Sequence, residues 1–195
     1  MQRPKTLLRD IFGFNEFRPG QSEIIDAVVD KQNVLAIMPT GGGKSLCFQL
    51  PALMGEGLTV VISPLIALMR DQVRGLQAAG MAAEAITSAN TEEETNKIFS
   101  ALNASKLRIL YLAPERLAST AMQSALHRYN VVSLVVDEAH CVSQWGHDFR
   151  PDYLRIGELR RSLGVPLAAF TATADEETRQ EIIDRLFDGV APSSF

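Results

Sequence analysis

The sequence predicts an α/β domain built on a doubly wound parallel sheet with helices on both faces, and three observations carry that prediction. Short apolar runs rich in β-branched residues alternate with longer helical patterns along all 195 residues. The runs are continuously hydrophobic, as strands covered on both faces must be, rather than alternating. The residues with distinctive chemistry fall just after the runs, at the C-terminal strand ends where such sheets bind ligands.

In chain order, a helix over Gly20–Asp30 precedes a strand over Val34–Met38, and a glycine loop leads into a helix over Lys44–Met54. Strands follow at Leu58–Ile62, Ala85–Thr87, Leu107–Leu112, Val131–Val136 and Val165–Phe170. The helices between and after them are Leu65–Ala79, Thr91–Asn103, Pro114–Leu126, Pro151–Leu163 and Asp175–Leu186. Thr91 with Glu94 makes a capping box, and Asp175-Glu176-Glu177 sets acids on a first turn. Short loops and strict alternation favour one domain over residues 1–195, with no repeat or linker-like shift dividing it.

Composition narrows the class. A chain of this length buries about 70% of its unfolded surface. Hydrophobic residues at 46% and charged residues at 22% are ordinary for a soluble globular protein. No apolar run approaches the roughly 20 residues that span a bilayer, so no membrane partner is expected. Met1–Thr6 is basic but lacks the apolar segment of a secretory signal, and the two cysteines, Cys47 and Cys141, make no disulfide framework. A reducing cytoplasm is the expected compartment. The net charge of −4 gives no bulk support to nucleic-acid binding, which must rest on local groups.

Two constellations carry chemistry. Met38-Pro39-Thr40-Gly41-Gly42-Gly43-Lys44-Ser45 lies between strand and helix, the context in which a Gly-Lys-Ser loop binds phosphate. Its glycines let backbone N–H groups converge on an anion, and the helix N-terminus adds partial positive charge. Lys44 would meet the outer phosphates and the Ser45 hydroxyl would ligate magnesium. The strict pattern wants glycine where Met38 stands; taken alone, the stretch could be a flexible glycine turn. The second constellation, Asp137-Glu138 leaving an apolar strand, suits a nucleotide-bound magnesium: Asp137 for the metal, Glu138 to orient the attacking water. Taken alone, that pair could be a helix N-cap. Cys141, His140 and His147 also permit a zinc reading, with only three such residues close together.

The Gly-Lys-Ser loop, Asp137-Glu138-Ala139-His140 and Thr171-Ala172-Thr173 resemble motifs I, II and III of superfamily-two helicases. Leu8, Phe12-Gly13, Phe17-Arg18 and Gln21, with the aromatic-rich stretch Cys141–Tyr153, narrow the resemblance to the RecQ family of DNA helicases, over almost the whole chain. The resemblance implies a RecA-like P-loop NTPase domain that uses ATP and Mg2+ and moves 3′ to 5′ on single-stranded DNA, acting on tailed duplexes. Lys44, Asp137, Glu138 and His140 would be catalytic, and Thr40, Gly41, Gly42, Gly43, Lys44 and Ser45 would hold phosphates. Phe14, Arg18 and Gln21 would take the adenine by stacking, cation–π contact and an amide edge; Phe12 and Phe17 are read as core. Ser63-Pro64 and Arg116 resemble motifs Ia and Ib, where strand ends feeding helix N-termini can hold DNA phosphates, although helix capping or a solvated Arg70 or Arg116 is an alternative.

Trp145, His147, Phe149 and Arg150 would engage unpaired DNA, with flat rings for bases and a cation for phosphate; packing against the next helix is the alternative for the two rings. Tethered to Glu138 and His140, this loop offers a route for DNA to stimulate hydrolysis. Thr171 and Thr173 would link the nucleotide site to a neighbouring domain. His127 is read as surface. The family's second RecA-like lobe, with the arginine for the γ-phosphate, and its zinc-binding and winged-helix parts are absent from this sequence. The expectation is therefore half of a motor, one that binds nucleotide weakly and neither hydrolyses ATP well nor unwinds alone. The rival readings are a superfamily-two RNA helicase and a non-motor nucleotide-dependent switch.

Overall fold

The structure, a computed structural model, describes residues 3–195, so Met1 and Gln2 of the basic N-terminal stretch lie outside the described residues. The helices are α1 (Pro4–Phe12), α2 (Gln21–Val29), α3 (Lys44–Met54), α4 (Ile66–Ala78), α5 (Glu92–Asn103), α6 (Thr120–Arg128), α7 (Ile156–Leu163) and α8 (Glu176–Leu186). The strands are β1 (Val34–Ile37), β2 (Leu58–Ile62), β3 (Ala83–Ile86), β4 (Ile109–Leu112), β5 (Val131–Val136), β6 (Leu167–Thr171) and β7 (Ser193–Ser194). They form one sheet in the order β3-β4-β2-β5-β6-β1-β7, every pairing parallel.

Successive strand residues point to opposite faces, and both faces are buried. Val61 and Val135 belong to a core with Leu8 of α1, Ile24 of α2, Phe48 of α3 and Met69 of α4. Their neighbours Val60, Ile62, Leu134 and Val136 belong to a second core with Ile98 of α5, Leu126 of α6, Ile156 of α7 and Ile182 of α8. Four helices therefore cover each face, which explains the unbroken apolar runs. Phe48 packs edge-on to Phe170 at 5.4 Å, tying α3 to β6. Register aligns Ile62 with Val136 and Ile37 with Thr171, so the segments after β1, β2, β5 and β6 open on one edge.

The differences from the sequence reading are local. Helix α1 was not anticipated, although Pro4 opens it and Gly13, at φ 74°, closes it by donating to Arg9 and Leu8 carbonyls. Strand β7 carries no apolar run; it is two serines hydrogen-bonded to the edge of β1. The expected helix Pro114–Leu126 divides into a 3-10 turn, Pro114–Ala118, and α6, because Ser119 stops one and caps the other through Met122 N–H. Pro151–Leu163 likewise begins as a 3-10 turn, Pro151–Arg155. The capping box at Thr91 and Glu94 is present, and Asp175 caps α8 through Thr178 N–H.

Helices α7 and α8 approach closely at Gly157, where an added Cβ would stand 2.1 Å from the Arg185 carbonyl oxygen. The backbone cannot yield as a flexible side chain would. Gly157→Ala is expected to cost about 1–3 kcal/mol by forced separation of the two helices. A lowered denaturation midpoint with an unchanged slope checks it.

Candidate active site

The Gly-Lys-Ser loop is shaped by backbone that only glycine adopts readily. Gly41 and Gly43 both sit at φ 80°, and a Cβ on Gly43 would lie 2.2 Å from Gln21 Nε2. Gly43 caps α3 with no side-chain hydrogen bond, which leaves first-turn N–H groups beside Lys44 and Ser45 for an anion. Met38, at the position where the strict motif has glycine, is a core residue only 7% exposed. Its N–H donates to Thr171 O at 2.9 Å and its sulfur lies 4.0 Å from Cys47 Sγ, so it anchors the loop instead of lining it. Burial pushes the Cys47 thiol up to about 12, which keeps it an inert packing group.

The segment before α2 docks onto this loop. Arg18 donates through Nη1 to the Gly41 carbonyl. Gln21, buried, accepts from Arg18 N–H at 2.8 Å and donates to Gly43 O at 3.2 Å. A carboxamide has two donors and two acceptor lone pairs, so half of its capacity remains for a base edge. Phe14 is 52% exposed, whereas Phe12 and Phe17 pack against the core.

The acidic pair follows β5. Asp137 is buried, its N–H on the Ile62 carbonyl and its Oδ1 accepting Glu138 N–H at 2.9 Å. Burial, then the neighbouring Glu138 charge, raises the Asp137 carboxyl above the usual range, with Lys44 the main opposing group. Tyr153, fully buried, donates its hydroxyl to Asp137 O at 2.8 Å and fixes the backbone there. Glu138 takes the left-handed conformation at φ 52° and makes no side-chain cap, which sets aside the capping role for the pair. Its carboxylate instead lies 3.9 Å from Lys44 Nζ and 3.4 Å from His140 Nδ1.

His140 joins three segments. Nδ1 lies 2.8 Å from Thr171 Oγ1 and Nε2 lies 3.2 Å from Asp148 Oδ2. The Thr171 hydroxyl also lies 3.1 Å from Thr173 O, so the imidazole and the end of β6 share one small hydrogen-bond cluster. The acidic segment, the end of β6 and the aromatic-rich loop thus meet on one imidazole. Within that loop Trp145 is 81% exposed, so no packing holds its ring, while Phe149 is half-buried and His147 and Arg150 are exposed. Cys141 is buried with its thiol raised to about 11, chiefly by burial and against the lowering influence of the Arg150 charge, and its carbonyl accepts from Arg150 N–H at 2.9 Å.

Against known proteins, the family model described as "DEAD/DEAH box helicase" matches residues 18–182. The chain belongs to the DEAD/DEAH box helicase family. It is 44% identical over 189 residues to "ATP-dependent DNA helicase RecQ" of Haemophilus influenzae, covering 95% of this chain and 30% of that protein. It is 46% identical over 186 residues to the protein of the same description from Synechocystis, covering 92% of this chain and 39% of the relative. The chain thus spans about a third of the length of these curated relatives. Among solved structures, the DUF1998 helicase MrfA bound to DNA and AMPPNP superposes with a TM-score of 0.77 over all of this chain and 29% of that one, at 18% identity. The Pyrococcus furiosus Hef helicase domain gives 0.69 over 92% of this chain and 38% of its own, at 21% identity. At such identities the likeness is one of fold.

In this helicase domain the other sequence-predicted residues are more dispersed. Ser63 is buried at the end of β2, with half-buried Pro64 and exposed Leu65 leading into α4. Arg116 donates to Thr87 O at 2.7 Å and Arg70 to Ala89 O at 2.9 Å, so each guanidinium also braces a neighbouring loop. His127 is exposed and bridges to Gln123 O and Ser162 Oγ. Three participants had no assigned role: Asp148, Tyr153 and Glu181. Glu181 accepts from Ser143 Oγ at 2.8 Å and Gln144 N–H at 3.1 Å across 37 or more residues of chain, a separation that no local motif signals.

Proposed function

We propose that this chain is the ATP-binding motor domain of a RecQ-type DNA helicase, which couples ATP hydrolysis to 3′-to-5′ movement on single-stranded DNA and duplex unwinding in DNA repair and recombination. The observation that carries the reading is the His140 bridge, which connects the catalytic carboxylate Glu138 to both Thr171 and the exposed aromatic loop. The level of identity to proteins described as ATP-dependent DNA helicases supports DNA over RNA.

The donor set fits magnesium. Among the described residues no group of three His, Cys, Asp or Glu is placed to hold a metal ion, whereas nucleotide-bound magnesium needs only one or two protein oxygens beside phosphates and waters. Asp137, its carboxyl raised by burial, and the Ser45 hydroxyl are those oxygens. Bound there, the ion would neutralise charge developing on the β- and γ-phosphates.

The remaining roles follow from the chain's own groups. The glycine loop and the start of α3 cradle the phosphates, and Phe14, Arg18 and Gln21 receive the adenine. Lys44, paired with Glu138, shifts to the outer phosphates, which releases the carboxylate to orient the attacking water. His140 keeps Glu138 in register with Thr171 and Asp148. A second RecA-like lobe of the same polypeptide supplies the arginine for the γ-phosphate, and Thr171–Thr173 faces it. Ser63, Pro64 and Arg116 lie along the path of the DNA backbone, with Trp145, His147, Phe149 and Arg150 on its unpaired bases. The protein works in the cytoplasm, at the nucleoid in a bacterium; no described helix is long and apolar enough to cross a membrane.

Strand displacement by the full-length protein tests this. A 3′-tailed duplex is expected to be unwound with ATP, and a 5′-tailed one not. ATP hydrolysis that rises with DNA but yields no displaced strand would favour the switch, and stimulation by RNA alone would favour an RNA helicase. Trp145→Ala in the same protein is expected to lower DNA stimulation about tenfold, the loss of one or two stacked bases at about 1–3 kcal/mol each. ATP affinity serves as the control, and unchanged stimulation would remove Trp145 from the DNA path.

A further inference from the structure

We infer that Glu181, on the helix after motif III, is a positioning residue that clamps the base of the aromatic-rich loop and fixes the pose of Trp145; the inference rests on the motor reading above. Ser143 to Gly146 form a tight turn, closed by Gly146 N–H donating to Ser143 O at 3.2 Å. Trp145 is the third residue of that turn and projects into solvent, 81% exposed. Glu181 grips the turn's first two residues, one carboxylate oxygen on the Ser143 hydroxyl at 2.8 Å and the other on Gln144 N–H at 3.1 Å. A bidentate acceptor fixes orientation as well as position. Its second bond is to the residue directly before Trp145.

The clamp also sits where it can transmit. Helix α8 packs against the 3-10 turn Ala139–Val142 that follows Glu138 and carries His140. The same helix starts from Asp175, two residues beyond Thr173, whose carbonyl accepts from Thr171 Oγ1. The aromatic loop is therefore tied to the β6–α8 segment at two places: through Asp148, His140 and Thr171 at one end, and through Glu181 at the other. A base stacking on Trp145 pushes on a turn that cannot rotate independently of α8. Without Glu181, the turn would absorb the displacement by swivelling, and an exposed tryptophan would have to be ordered by the DNA itself, at a cost in affinity.

The test compares Glu181→Ala, Glu181→Gln, Ser143→Ala and the double variant Glu181→Ala/Ser143→Ala in the full-length protein, by ATP hydrolysis with and without single-stranded DNA. Glu181→Ala is expected to reduce the DNA-stimulated kcat, or raise the DNA concentration giving half-stimulation, by about tenfold, as loss of charge-assisted hydrogen bonds does. Basal hydrolysis and the KM for ATP should stay within about twofold. Glu181→Gln keeps one acceptor and should fall between, so a fold too weak to tolerate alanine still leaves a readout. Ser143→Ala should weaken stimulation modestly and add nothing to Glu181→Ala, because the bond is already gone. Unchanged stimulation in both Glu181 variants, a loss shared equally by basal activity, or full additivity of the pair would overturn the inference. Absence of DNA stimulation in the unsubstituted protein would overturn the motor reading, and the clamp with it.

Discussion

Lys44→Ala in the full-length protein is expected to lower ATP turnover about a thousandfold, the scale set by removing one preorganised electrostatic partner of a transition state. The lysine occupies the first position of α3, held there by β1 and the glycine loop, and its only ionic partner among the described residues is Glu138 at 3.9 Å. Charge builds on the transferring phosphoryl oxygens as the reaction proceeds, so a cation held beside them acts more strongly on the transition state than on bound ATP. The KM for ATP should rise less than kcat falls. The substitution has a second consequence on the protein side. Lys44 is the main group opposing the upward shift of Asp137, so its loss leaves that buried carboxyl even harder to ionise. Steady-state hydrolysis over a range of magnesium concentrations checks both effects: turnover should collapse, and the residual activity should need more magnesium.

Glu138→Gln is expected to separate binding from turnover more completely, with ATP bound normally and hydrolysis slowed about a hundredfold to ten-thousandfold, the usual yield of a positioned general base. The amide keeps the shape of the carboxylate and can still meet Lys44 or His140, but it takes no proton from water. It also removes the negative charge that stands second among the causes holding Asp137 above its usual range. The Asp137 carboxyl should therefore ionise more readily, and nucleotide affinity should be kept or improved. Equilibrium binding of ATP beside single-turnover hydrolysis separates the two effects. Parallel losses in both would move Glu138 from catalysis to organising the nucleotide site.

The sheet was legible because its strands are covered on both faces. Val131–Val136 reads as one apolar run since Val135 packs towards α1–α4 while Leu134 and Val136 pack towards α5–α8. Glycine loop and acidic pair were legible because each lies within a few residues of a strand end, where local sequence reports local geometry. Boundaries were less so: Ser119 divides an expected helix by capping, and β7 pairs two serines that no hydrophobic pattern marks. The site's connections were the least visible. That Gln21 braces Gly43, that Tyr153 holds the Asp137 carbonyl and that Glu181 grips the Trp145 turn are facts of tertiary distance. Arg116 illustrates the same limit, since a basic residue read as a DNA contact also serves the Thr87 carbonyl.

Coupling of nucleotide chemistry at Lys44 and Glu138 to DNA at the loop around Trp145 underlies these expectations. It is tested most directly by the steady-state ATP hydrolysis of the full-length protein as single-stranded DNA is added. A saturable rise of about tenfold or more is expected, abolished by Lys44→Ala and by Glu138→Gln. Hydrolysis at the same rate with and without DNA would contradict it.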